Sequence, residues 1–151
     1  LCNRRGMEDY IHEKWPCWAQ KEHYLICESI DLDGLKYIND TYGHKEGDWA
    51  ICTVADAISR TLGEDGIAAR TGGDEFVIVL TGTDEQKILV IEQKIRESLE
   101  EKNRLSGKPY RAECSMGHYM TPISARESFE ECMRLSDIEM YKEKKAKKAG
   151  R

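Results

Sequence analysis

Residues 66–81 read GIAARTGGDEFVIVLT, and this stretch decides which kind of sheet the chain builds. It holds two short apolar runs, residues 66–71 and 75–81, on either side of Gly72-Gly73-Asp74. Because glycine supplies the positive φ angles that tight turns need, the pattern predicts a β-hairpin. We therefore expect two neighbouring antiparallel strands in the middle of the chain.

The segments around the hairpin alternate between helix and strand patterns. Apolar residues recur at helical spacing over residues 46–62 and 84–104, which predicts two amphipathic helices. The other predicted elements are helices at residues 6–21, 34–42 and 127–148 and strands at residues 23–31 and 110–120. A hairpin within this alternation argues against an all-parallel sheet. The predicted fold class is α+β, with a central mixed or antiparallel sheet flanked by helices and a ferredoxin-like core.

Length and charge narrow the class of protein. The chain has 151 residues, which favours one domain, and 40% of them are hydrophobic. Its formal net charge of -5 argues against a general nucleic-acid-binding protein, which is usually basic. The longest obvious apolar run, Phe76 to Leu80, is far too short to cross a bilayer, and the N-terminal residues lack the apolar stretch of a signal peptide. We expect a cytoplasmic domain without direct membrane contact, although a parent protein with a membrane anchor is compatible with this pattern.

The cysteines indicate a reducing compartment. There are six, at Cys2, Cys17, Cys27, Cys52, Cys114 and Cys132. They form no C-x-x-C pair, and their share of the chain is below that of a disulfide scaffold. We predict free thiols, most of them buried as small apolar side chains.

Acidic residues stand at two places where a sheet can present them to one pocket. Asp31 ends the first predicted strand, and Asp74 and Glu75 lie in the hairpin turn. If that strand lies beside the hairpin, the three carboxylates converge and need a cation to offset their repulsion. Oxygen-only ligands suit Mg²⁺ or Mn²⁺, and such a cluster can hold two ions about 3.5–4 Å apart for phosphoryl transfer. A solvated turn of ordinary Asp and Gly chemistry remains the alternative at this point.

The stretch Gly72–Phe76 resembles the signature of the GGDEF family, the diguanylate cyclases. Other segments match the family's motifs in the family's order. Before the signature, Asp31–Lys36 resembles D-x-D-x-F-K with Leu35 in place of Phe, Ile38–His44 resembles I-N-D-x-Y-G-H and is followed by Gly47-Asp48, and Arg70 lies just ahead of the signature. After the signature, Ser115–Gly117 resembles S-x-G, and Asp137–Tyr141 with Lys144 resembles the family's last helix. The resemblance covers almost the whole chain. It implies a single GGDEF domain over residues 1–151, with the fold of nucleotidyl cyclase catalytic domains.

The resemblance implies a metal site and a catalytic set. Asp31, Asp74 and Glu75 would be metal-binding carboxylates, with the Leu32 carbonyl as a further ligand, holding two Mg²⁺ or Mn²⁺ ions per active site. The catalytic residues would be Asp74, Glu75 and Lys36. The family also assigns Asp74 as the general base for the 3′-hydroxyl, a role less secure than metal binding because one carboxylate would do both.

The resemblance also implies how GTP is bound. Asn39 and Asp48 would recognise the guanine edge, whose N1–H and amino group form a donor pair that adenine lacks. Lys36 and Lys144 would meet the triphosphate as point charges, with Arg70 assisting them. Gly72 and Gly73 lack Cβ atoms and would let the turn approach the nucleotide closely.

The implied reaction condenses two GTP molecules into cyclic di-GMP and two pyrophosphates. Each 3′-hydroxyl would attack the α-phosphate held by a second copy of the domain, so the implied partners are GTP and a homodimer mate. The alternative is a catalytically silent module that binds GTP or cyclic di-GMP. Every metal and guanine position that can be matched is intact, which favours the enzyme.

Two departures from the family pattern carry expectations of their own. Many members have an inhibitory R-x-x-D motif ending five residues before the signature, but residues 63–66 here read GEDG. We expect no product inhibition through that site. The family usually opens with D-x-L-T-G-L-x-N-R-R, whereas this chain begins LCNRR, so we expect a missing N-terminal regulatory region with a sensory or receiver domain.

Overall fold

The computed structural model describes residues 1–21, 23–64, 66–123 and 127–150. Helices and strands in these ranges follow the order β1 (Cys2–Asn3), α1 (Arg4–Trp18), β2 (Tyr24–Leu32), α2 (Leu35–Tyr42), α3 (His44–Leu62), β3 (Gly66–Arg70), β4 (Glu75–Gly82), α4 (Gln86–Ser106), β5 (Cys114–Pro122) and α5 (Glu127–Ala149). Each predicted element is present, with ends shifted by a few residues. The short strand β1 was not predicted, because two residues are too few to show a periodic pattern.

The described strands form one mixed sheet in the order β1-β3-β4-β2-β5. β1 lies parallel to β3, and the other neighbouring strands are antiparallel. From β2 to β5 the chain follows a βαββαβ path with α2 and α3 as the first connection and α4 as the second. This arrangement is the ferredoxin-like core, so the predicted α+β class is confirmed.

Helices cover both faces of the sheet, and the alternation of side chains along each strand separates two cores. One core joins the sheet to α3 and α4 through residues such as Ile30, Ile58 and Ile95. The other joins it to α1 and α5 through residues such as Ile11, Val79 and Phe129. β2 and β4 lie centrally and are almost wholly buried. Polar side chains at the end that these two strands share are therefore attached to a buried backbone.

The hairpin is present, but its turn does not use glycine as predicted. Neither Gly72 nor Gly73 has a positive φ angle, so the conformational reason given for these residues is wrong. A Cβ at Gly72 would lie 3.0 Å from Glu75 Oε2, a tight contact that the exposed Glu75 side chain could relieve by moving. Nothing lies within 4 Å of a Cβ built at Gly73.

All six cysteines are free thiols, as predicted from their number and spacing. Their burial was predicted less well. Cys27, Cys114 and Cys132 are buried, whereas Cys17 and Cys52 are exposed on helices. Among the described helices, none combines the length and apolar character that crossing a bilayer requires.

Candidate active site

The carboxylates of Asp31 and Asp74 lie together at the end of the β2–β4 pair. The register places Asp31 opposite Glu75, and the Leu32 amide donates a 2.8 Å hydrogen bond to the Asp74 carbonyl oxygen. This backbone tie fixes the hairpin turn against the end of β2. The two predicted segments therefore meet as the sequence suggested.

Asp31 occupies an environment that disfavours its charge. Its side chain is buried, and Oδ1 has no hydrogen-bond partner in the described part of the chain. Burial and the neighbouring Asp74 carboxylate together raise the pKa of Asp31 to about 6, against the opposing hydrogen bond and charge of Lys144. A buried, unpaired carboxylate oxygen beside a second carboxylate is costly unless a cation approaches it.

This donor set fits a divalent cation such as Mg²⁺. Carboxylate and carbonyl oxygens are the ligands that Mg²⁺ takes in proteins. Asp31, Asp74 and the Leu32 carbonyl would hold the ion, and Oδ1 of Asp31 is free to face it, since it has no hydrogen-bond partner in the described residues. That these residues bind metal stays a prediction.

Glu75 lies apart from this pair. Its side chain is exposed and folds back over Gly72, with Oε2 3.0 Å from the position of a Gly72 Cβ. The described residues do contain a group of three possible metal ligands whose ligand atoms all lie within 4.8 Å of one another. That group is Glu28, Glu92 and His118, and it does not include Glu75. Glu75 would have to rotate away from Gly72 to join Asp31 and Asp74.

Two lysines from α5 reach the end of β2. Lys144 Nζ donates to Asp31 Oδ2. Lys147 Nζ donates to Asp33 Oδ2 at 2.9 Å and to the Cys114 carbonyl at 2.6 Å. Lys144, predicted to meet the triphosphate, is thus held on the carboxylate predicted to bind metal.

Arg70 stabilises the signature turn itself. Its Nε donates to the Gly72 carbonyl at 3.1 Å, and its Nη2 donates to the Gly73 carbonyl at 2.8 Å. The Thr71 amide closes the same turn on the Glu75 carbonyl at 3.0 Å. Arg70 therefore shapes the turn from its own side chain, a role the sequence did not indicate.

The predicted guanine-binding residues lie on the α2–α3 pair. Asn39 is half-buried, and a Cβ on Gly47 would lie only 1.7 Å from Asn39 Oδ1. Asn39 therefore packs into the space that Gly47 leaves on the first turns of α3. Asp48, the next residue, is exposed, as is Lys36 on the first turn of α2. The geometry leaves both side chains accessible to a nucleotide.

A network behind this surface holds the start of α3. Glu46 Oε1 accepts from Lys108 Nζ at 2.6 Å and from the Tyr110 hydroxyl at 3.0 Å. Lys108 also lies 5.0 Å from the centroid of the Trp49 ring. These contacts fix the helix that carries Asp48 against the segment before β5.

The sequence reasoning missed a second polar cluster on the opposite face of β2. Glu28 is fully buried on that strand, directly opposite His118 of β5. His118 Nδ1 lies 2.5 Å from Glu92 Oε1 on α4. A charged residue inside the apolar stretch YLICESI was the available signal.

The fold and the acidic end of β2 define a ferredoxin-like domain with a polar site built on a hairpin turn. Over residues 1–150 the sequence matches the protein family described as "Diguanylate cyclase, GGDEF domain". The chain therefore belongs to the GGDEF family of diguanylate cyclase domains.

Named relatives agree with this assignment. The chain is 35% identical over 139 residues to the probable diguanylate cyclase DgcT of Escherichia coli. The aligned region covers 88% of this chain and 29% of that protein. It is similar to the structure of the active GGEEF domain of a diguanylate cyclase from Vibrio cholerae, with 27% identity, a TM-score of 0.79 and coverage of 97% of this chain and 92% of that one. It is also similar to the GGDEF domain of YfiN from Pseudomonas aeruginosa, with 29% identity, a TM-score of 0.82 and coverage of 97% and 86%. The chain spans between 20% and 39% of the length of six curated relatives that it matches.

Proposed function

We propose that this domain is an active diguanylate cyclase, converting two GTP molecules into cyclic di-GMP and two pyrophosphates. The observation that carries the proposal is the pairing of the buried Asp31 with the half-buried Asp74, with Asp31 Oδ1 unpaired, at the signature turn of a chain that belongs to the GGDEF family. Divalent cations, Mg²⁺ or Mn²⁺, would offset charge on the phosphates and on the attacking oxygen. Two ions per site is the expected number.

The protein's own residues would position the substrate and handle the proton. Asp74 would accept the proton of the 3′-hydroxyl, whose oxygen forms a bond to the partner's α-phosphorus while the bond to pyrophosphate breaks. Because no protein nucleophile takes part, the rate would come from positioning and charge stabilisation. Glu75 would complete the carboxylate set after turning away from Gly72.

The lysine contacts support a change of partner on substrate binding. Lys144 Nζ donates to Asp31 Oδ2. A cation on Asp31 would compete with this ion pair and leave Lys144 to meet the triphosphate, as Lys36 would from α2. The same lysine would thus neutralise Asp31 in one state and phosphate in the other.

The reaction needs two copies of the domain. Each site would hold one GTP, and the attack would cross from one copy to the other, so a homodimer is the proposed catalytic unit. In the parent protein, an upstream sensory or receiver domain would control how the two copies meet.

A direct test is to fuse the domain to a dimerising leucine zipper and incubate it with GTP and Mg²⁺. We expect cyclic di-GMP and two equivalents of pyrophosphate by chromatography, and no cyclic product from ATP because Asp48 would reject adenine. GTP binding without turnover by the fused dimer would instead support the silent binding module.

A further inference from the structure

The cluster of Glu28, Glu92 and His118 lies on the face of the sheet opposite Asp31. One ligand atom from each residue lies within 4.8 Å of the others. The residues come from three elements, β2, α4 and β5. The cyclase reaction proposed above gives them no role.

Glu28 is the unusual member of this cluster. Its side chain is fully buried, and neither carboxylate oxygen has a hydrogen-bond partner among the described residues. Its Oε2 points toward the cluster, 3.7 Å from His118 Nδ1. Burial raises the pKa of Glu28, and the neighbouring Glu92 carboxylate adds to this rise, so a cation bound between the two groups would offset the cost of burying their charge.

Both ring nitrogens of His118 face carboxylates. Its Nε2 lies 2.8 Å from Glu85 Oε1, at the start of α4, while Nδ1 faces Glu28 and Glu92. A carboxylate on the outer ring nitrogen fixes the imidazole so that the inner nitrogen binds the ion. Glu85 would serve as this orienting partner.

The distances suit a four-coordinate ion after a small adjustment. With bonds of about 2.0–2.1 Å, tetrahedral ligands lie about 3.3 Å apart. The gap of 3.7 Å between His118 Nδ1 and Glu28 Oε2 is close to this value. The gap of 2.5 Å between Nδ1 and Glu92 Oε1 would open by about 0.8 Å.

A cleft of about 330 Å³ gives the cluster a route to solvent. Its lining residues are Glu85, Glu92, Met116, Gly117, His118 and Glu139. An ion that enters through this cleft would have three protein ligands and a water molecule in its fourth coordination position, as three-ligand zinc sites do. Imidazole with two carboxylates suits Zn²⁺ and neighbouring transition metals, whereas Mg²⁺ prefers an all-oxygen set.

We propose that Glu28, Glu92 and His118 form a second metal site that binds one Zn²⁺ or a similar transition-metal ion, separate from the catalytic cation site. The bound ion joins α4 to β2 and β5 on the face away from Asp31. Its expected effect is to stabilise the fold by holding these elements together.

The test uses the metal-free domain, titrated with Zn²⁺ by calorimetry and with Co²⁺ by visible absorption, with the thermal midpoint measured in parallel. We expect about one equivalent bound at this site and a raised midpoint. Glu28→Gln and His118→Gln should each weaken this binding at least about tenfold, and Glu85→Gln by about 10–100-fold. Asp74→Asn, and His12→Gln at an exposed position, should leave Zn²⁺ binding at this site unchanged.

Two results would overturn the site. One is Zn²⁺ and Co²⁺ binding that stays unchanged in both Glu28→Gln and His118→Gln, and the other is no binding by the folded wild-type domain. Glu28→Gln is expected to fold because it keeps the side-chain shape and removes the buried unpaired acid. Glu92→Gln provides a third variant at a partly exposed position. Since catalysis is not the readout, loss of cyclase activity alone does not affect this test.

Discussion

At the scale of single residues, the site depends on contacts that are tight enough to specify particular side chains. Gly72 leaves room for Glu75, and Gly47 leaves room for Asn39. Arg70 fixes the carbonyls of the signature turn. The family motif therefore combines groups that would meet the nucleotide with groups that only make space or hold the backbone.

Gly47→Ala tests the space-making role on the guanine side. The new Cβ would lie 1.7 Å from Asn39 Oδ1 and 3.3 Å from Leu35 Cδ1, so the Asn39 amide must move. Losing one such hydrogen bond to guanine should weaken GTP binding about tenfold. The measurement is GTP affinity by calorimetry, with the exposed Cys52→Ala on the same helix as control. Unchanged affinity for GTP in Gly47→Ala would contradict the placement of Asn39 at the guanine.

At the scale of elements, α5 is the helix that connects the sheet to the site. It packs on β2 and β5, its Ser136 hydroxyl lies 2.7 Å from that of Ser29, and it carries Lys144 to Asp31. Gly117 of β5 allows this close approach. A Cβ there would lie 2.0 Å from the Met140 amide nitrogen.

Gly117→Ala should therefore destabilise the domain by forcing α5 off the sheet. Backbone atoms cannot give way as a flexible side chain can, so we expect a loss of about 1–3 kcal/mol or more in the free energy of unfolding. Urea unfolding measures this, with Gly150→Ala as control because its Cβ meets only ordinary contacts at 3.6 Å. Equal stability of the two variants would show that α5 does not pack as described.

At the scale of the whole molecule, the domain is a sheet with two helical layers and two polar clusters on opposite faces of β2. The pattern of apolar runs was enough to predict the layers and the hairpin, because most of the side chains that β2 and β4 bury are apolar. It did not predict β1, which two residues are too few to reveal. The places of Asp31 at a strand end and of Asp74 in the hairpin turn were enough to predict that the two carboxylates meet. The turn of Glu75 over Gly72 and the Lys144–Asp31 pair depend on side-chain packing that no motif encodes.

The missing R-x-x-D motif gives a prediction for the domain as a regulated unit. Gly63, Glu64 and Gly66 stand in its window, and Asp65 lies outside the described residues. Without the Arg and Asp that bind product, cyclic di-GMP should not inhibit turnover noncompetitively. Initial rates at increasing cyclic di-GMP would show this, and strong noncompetitive inhibition at low micromolar product would contradict it.

The central claim is that the β2–β4 end makes cyclic di-GMP, and the sharpest measurement compares two isosteric variants. Asp74→Asn alters the carboxylate beside Asp31, whereas Asp84→Asn changes an exposed aspartate and keeps the Oδ1 that accepts from the Gln86 amide at 2.9 Å. Both variants are compared as zipper-fused dimers with matched circular dichroism spectra. Asp84→Asn should convert GTP at the rate of the wild type. Asp74→Asn should lose about 100-fold or more of the rate, as expected for a positioned proton acceptor that also holds charge. Equal turnover of the two variants, or no cyclic di-GMP from the wild-type dimer, would contradict the account.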